Sequence, residues 1–103
     1  MVLIRNLVEA KYGSFADLMR CHEELNEIAA AHGWKRSRFM VQAGARANVL
    51  AAELEYDSLS EWEVEQEGAY SDPQFMKVLR EASQYCVQGT ASEQIWLDAP
   101  HLA

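Results

Sequence analysis

The stretch Tyr56 to Leu79, YDSLSEWEVEQEGAYSDPQFMKVL, holds a strand end, a capped helix and the start of a second helix. Ser58 with Glu61 three residues on is a capping box, so the chain entering through Tyr56 turns helical there. On that helix Leu59, Trp62, Gln66 and Tyr70 share a side at 3- and 4-residue spacing, and Glu61, Glu63, Glu65 and Glu67 crowd the rest as a solvated face. Gly68 costs about 1 kcal/mol against alanine in a helix and predicts a break before Tyr70. Asp72 then caps a further helix with Pro73 at its first position, and Phe75, Leu79, Ala82 and Cys86 form its buried stripe.

Working outward, residues 2 to 10 alternate with period 2: Val2, Ile4, Asn6 and Val8 on one face, Leu3, Arg5, Leu7 and Glu9 on the other. This is a first strand with both faces largely covered. A turn at Lys11-Tyr12-Gly13 leads to Ser14, a helix cap with Asp17 at the third helical position, and Gly33 ends the helix after about His32. Its apolar stripe is Phe15, Leu18, His22, Leu25 and Ala29.

Residues 34 to 43 and 49 to 56 read as two strands joined by a turn around Gly44 to Asn48. Placing Gln42 opposite Val49 sets Met40 against Ala51, Arg38 against Glu53 and Arg36 against Glu55, so opposite charges line one side. Phe39, Val41, Leu50, Ala52, Leu54 and Tyr56 collect on the other, and a one-residue slip would mix the two sets. Ser92 to Asp98 returns to strand character, with Ile95 and Leu97 opposite Trp96, and Pro100 ends it.

The order strand, helix, strand, strand, broken helix, strand is that of an α+β, ferredoxin-like βαββαβ unit. Its four-stranded antiparallel sheet has helices on one face, and residues 1 to 103 form one domain. The other face carries Leu3, Leu7, Val49 and Met40 among Arg and Glu side chains, which a second sheet packed face to face would bury; a two-fold homodimer is expected.

Composition narrows the partners. Nine Lys and Arg against sixteen Asp and Glu give a net charge of −7, which repels a phosphate backbone, so nucleic acid is not an expected partner. No apolar run reaches the roughly 20 residues of a bilayer span, and Arg5 and Glu9 interrupt any signal-peptide core, so no membrane partner and a cytoplasmic location are expected. Cys21 and Cys86 have no metal or redox spacing and read as small buried hydrophobes.

Through the βαββαβ order, EYDSLSEWE and the following YSDPQFMKVLREASQY, the chain resembles the dimeric α/β-barrel superfamily over nearly its whole length. That superfamily includes NIPSNAP-like proteins, antibiotic-biosynthesis monooxygenases and small aromatic polyketide cyclases. The resemblance implies a dimeric α/β barrel with a pocket between helices and sheet, and chemistry ranging from cofactor-free oxygenation to ring closure to no activity. The haem-degrading branch is similar in a strand-one Asn, a Trp after a Ser-led approach and a His just after SDxxF. Asn6 and Trp62 match, but after Ser71-Asp72-Pro73-Gln74-Phe75 come Met76, Lys77, Val78 and Leu79, and extra residues separate Trp62 from Ser71. Without that axial ligand no haem is expected, nor any other cofactor or metal.

Asn6, His22, Ser37, Tyr56, Trp62 and Tyr70 point by their periodicity toward one space, a mostly aromatic pocket for a small planar or hydrophobic ligand. His22 is the candidate acid or base, Tyr70 and Asn6 are orienting or oxyanion donors, and Trp62, Tyr56 and Ser37 are ligand walls. Each also has a plain structural role open to it: a core histidine, a core tryptophan, a strand-ending tyrosine, a loop-bonded tyrosine, an asparagine satisfying backbone. His32 and His101 read as exposed and without a role. Two functions follow: a cofactor-independent monooxygenase or cyclase acting on an aromatic or polyketide-like substrate, or a non-catalytic NIPSNAP-like binding or interaction module.

Overall fold

In the computed structural model, which describes residues 1–42 and 48–99, the elements follow in the expected order. They are β1 (Val2–Glu9), α1 (Phe15–Ala31), β2 (Arg38–Val41), β3 (Val49–Tyr56), α2 (Leu59–Ser71), α3 (Pro73–Ser83) and β4 (Ser92–Leu97). The sheet order is β2-β3-β1-β4 and every pairing is antiparallel, as the ferredoxin-like reading requires. The hairpin register is the expected one, with Arg38 opposite Glu53, Met40 opposite Ala51, and the Gln42 amide bonded to the Val49 carbonyl. The connecting turn, Pro100 and His101 lie outside the described residues, save Asn48.

Side-chain alternation sorts the core. Val2 and Ile4 are buried with Tyr56 at one end of the sheet, and Leu18, Cys21, Leu25, Leu50, Val78 and Ala82 build the larger cluster under α1 and α3. Burying Ile4, Leu18 and Leu50 completely contributes roughly 2–3 kcal/mol each against exposure. Cys86 is half-buried and Cys21 buried, and burial is the first cause holding both thiols above their ordinary range.

Several local expectations need correction. Ser14 precedes α1 but its side chain makes no capping bond; its backbone carbonyl accepts from Leu18, and Asp17 binds Arg20 at 2.8 Å instead. β2 starts at Arg38, four residues later than the alternation from Trp34 predicts. The reason lies in where the amides of that segment go. Gly33 takes a φ of +74°, its N–H bonds Ala30 and the Trp34 N–H bonds Ala29, closing α1 as a Schellman motif. The Lys35 N–H then donates to the Glu65 carboxylate and the Ser37 N–H to Asn26 Oδ1, leaving none of these donors for a ladder with β3. The expected Arg36–Glu55 pair is replaced by Arg38, which lies 3.8 Å from Glu55.

Gly68 does not break α2, which runs on to Ser71. A Cβ there would lie 3.0 Å from Cζ2 of the Trp34 indole, so the glycine leaves room for the ring to approach the helix. Gly68→Val should force the indole away, costing roughly 1.5 kcal/mol by overpacking. Denaturant melts and the near-ultraviolet dichroism of the tryptophans measure both effects; an unchanged spectrum would show the indole is not held there.

Ser58 and Asp72 cap as expected, accepting from the N–H groups of Glu61 and Phe75, and Pro73 opens α3. Glu61 reaches back to the Asp57 N–H at 2.9 Å rather than to Ser58. Cys86, placed on the α3 stripe by spacing, lies beyond the helix end and forms an isolated bridge with Ala10.

Candidate functional site

Between the helices and the inner face of the sheet lies a cavity of about 990 Å³, at the upper end of the range of small-molecule sites. Small side chains open it. Ala52 on the floor pairs with Asn6 and Phe39, while Ala29, Ala69 and Ala82 face it from the three helices. Larger residues at these positions would fill the space with their own side chains.

All six residues singled out from the sequence border this one cavity. Asn6 projects from β1 on the helix-facing side, and its amide makes no side-chain hydrogen bond among the described residues. His22 hangs from α1, half-buried, edge-on to Phe39 with ring centroids 5.7 Å apart. Burial pushes its imidazole below the ordinary pKa, so the ring is neutral at pH 7. Tyr56 is buried beneath Trp62, and burial first, then the Glu65 carboxylate, holds its phenol well above the usual range. That hydroxyl stays protonated.

Tyr70 and Ser37 differ from expectation. Tyr70 is 56% exposed, at the rim rather than in the wall, with its hydroxyl accepting from Gln66 Nε2 at 3.3 Å. Ser37 enters the wall because Asn26 grips its backbone from both sides: Nδ2 donates to the Ser37 carbonyl and Oδ1 accepts from its N–H, both at 2.8 Å.

Sequence reasoning missed three wall residues. Trp34, read as a strand residue, stacks on His32 with centroids 4.2 Å apart and meets Phe75 edge-on at 6.2 Å. His32 is not idle: its Nε2 lies 2.7 Å from Asp72 Oδ2, tying the end of α1 to the junction of α2 and α3. The Asp72 carboxyl is held below its ordinary range by the Phe75 N–H and then by His32. Gly33 directly before Trp34 was the available signal. Asn26 and Glu93 are the others. Glu93 lies directly opposite Asn6 in the β1–β4 register, so both side chains stand on the helix-facing side.

Solved structures with this architecture are at once recognisable. An uncharacterized NIPSNAP domain protein from Burkholderia xenovorans superposes with a TM-score of 0.78 at 15% identity, covering 96% of this chain and 95% of that one. The chain shares the NIPSNAP fold. A NIPSNAP family protein from Agrobacterium tumefaciens gives 0.76 at 12% identity over 93% and 90% of the two chains. An antibiotic biosynthesis monooxygenase gives 0.73 at 9% identity over 97% and 100%. No protein-family model and no curated protein matches the sequence. In the NIPSNAP-like fold of this chain the helix–sheet cavity is set by the fold, and its chemistry by the residues just described.

Proposed function

We propose that this single-domain protein binds a small planar, largely apolar ligand in the helix–sheet cavity and acts on it as a cofactor-independent monooxygenase or cyclase. The observation carrying this reading is that a neutral, half-buried imidazole and an uncommitted amide share one mostly apolar cavity with Trp62 and Tyr56. Neutral His22 takes a proton from an acidic phenol or from carbon beside a carbonyl, and the Asn6 amide and Tyr70 hydroxyl are donors for the anion so formed. Cofactor-free oxygenation and ring closure both start from such an anion.

A second reading, a non-catalytic NIPSNAP-like binding module, draws support from Tyr70, whose hydroxyl faces Gln66 at the exposed rim. In either case the working unit is a homodimer through the open sheet face. The support is that Leu3, Leu7, Met40 and Trp96 stand there around a paired Arg and Glu network, with Trp96 55% exposed. A cytoplasmic location fits the two unpaired thiols, and no helix among the described residues is long and apolar enough to cross a membrane.

Thermal melts with a panel of naphthols, anthrones and polyketide-like phenols test the shared claim. A ligand present at 100 times its Kd stabilises by about 2.7 kcal/mol, several degrees in Tm. Crystals of the protein as purified should show density in the cavity. A panel without any shift, together with a cavity filled only by side chains, rejects the ligand site.

A further inference from the structure

We propose that Glu93 is the specificity residue of the cavity: it receives a hydroxyl or amine donor of the ligand and discriminates against carboxylates. This rests on the cavity being a ligand site. Its support is the accounting of polar groups in the wall. Asn26 is spent on both sides of the Ser37 backbone and Glu65 on the Lys35 N–H, while the Tyr70 hydroxyl sits at the exposed rim. Among the polar side chains of the wall that stay uncommitted, His22 included, Asn6 and Glu93 are the two that stand side by side on adjacent strands. Neither makes a side-chain hydrogen bond or ion pair with any described residue, and they are direct cross-strand partners on the inner face of β1 and β4.

Such partners have Cβ atoms about 5 Å apart, so one ligand group can touch both. Asn6 supplies two donors and one acceptor, while ionised Glu93 only accepts. The pair is therefore matched to a group that both donates and accepts, a hydroxyl above all. A carboxylate could bond to the Asn6 amide but would meet the charge of Glu93. Of the two lysines in the wall, Lys35 leads into β2, three strand spacings or about 14 Å from β4, and Lys11 lies five residues along the chain from Asn6, about 16 Å at strand rise, so neither backbone position sets a cation beside Glu93. Glu93 lies on the sheet edge and is exposed, so discrimination is of moderate size.

The test is isothermal titration calorimetry with 2-naphthol and 2-naphthoate, which share a ring system and differ in the polar group. Wild type should bind 2-naphthol at least tenfold more tightly. In E93Q, whose folding is checked by far-ultraviolet dichroism, the ratio should shrink to within about threefold, and in E93K the order should reverse. Naphthol binding with an unchanged ratio in both variants overturns the role of Glu93 and leaves the ligand site standing. Binding of neither probe to wild type overturns the ligand site and the proposal with it.

Discussion

Replacing Glu53 with alanine should destabilise the protein by about 2 kcal/mol at pH 7, although the residue stands on the sheet face away from the helices. Glu53 is only 3% exposed, and each carboxylate oxygen receives a different guanidinium: Arg5 Nε and Arg38 Nη2, both at 2.6 Å. The two arginines come from the strands on either side of β3 and are its direct partners in register. Breaking a buried pair costs about 3–5 kcal/mol when the remaining charge is sealed in. Here the arginine side chains keep 34% and 62% exposure, and Arg38 retains Glu55 at 3.8 Å, which brings the figure down.

The pH dependence gives the sign. Hydrogen bonds from Arg38 first, then Arg5, hold the folded carboxyl below its ordinary value, so its contribution is present above about pH 4.5 and is lost as pH falls through the folded value. Urea melts of wild type and Glu53→Ala should therefore differ at pH 7 and converge near pH 3. A difference that persists undiminished at pH 3 would assign the loss to packing rather than charge. If two sheets meet on this face, the pH 7 difference should also grow with protein concentration.

That network shows why the hairpin was legible in the sequence. Arg38 and Glu53 can face each other only in one register, and the same register puts Leu50, Ala52 and Tyr56 on the buried side, so charge and hydropathy agree. Caps were equally legible at Ser58 and Asp72, where a short polar side chain precedes a helix-competent run. The failures share a cause. Trp34 alternates like a strand residue, but the Schellman closure at Gly33 and the Asn26 grip on Ser37 commit its segment to α1, and the Asn26 bonds span 11 residues. Gly68 was read by its cost to an isolated helix. Its use depends on an indole 34 residues earlier in the chain, which no local window contains.

The site divides along the same line. Periodicity assigns a side chain to a face, and that is enough to gather Asn6, His22, Ser37, Tyr56, Trp62 and Tyr70 around one space. It does not give depth, and Tyr70 at the rim differs from Tyr56 in the core for that reason. Glu93 was within reach, because it alternates with Ile95 and Leu97. An exposed edge-strand glutamate attracts attention only when its partner across the ladder is known to be Asn6.

If His22 is the base, His22→Ala should lower kcat by about 10²- to 10⁴-fold once a substrate is in hand, with a much smaller change in binding. The side chain is half-buried and makes no hydrogen bond among the described residues, so its loss removes little besides contact with Phe39 and should leave the fold intact. His22→Gln separates the roles: glutamine fills the space and can donate or accept a hydrogen bond, but it cannot take a proton. It should be nearly as inactive as alanine while binding as wild type does. Burial lowers the imidazole pKa, so activity should fall only as pH drops below about 6.5, and the variants should lack that limb. Protonation also favours the unfolded chain, whose histidine has the higher pKa, so wild-type stability declines over the same acidic range. Full turnover by His22→Gln would remove proton transfer from this residue, and the half-buried ring would then be a wall of a binding cavity, as the non-catalytic reading requires.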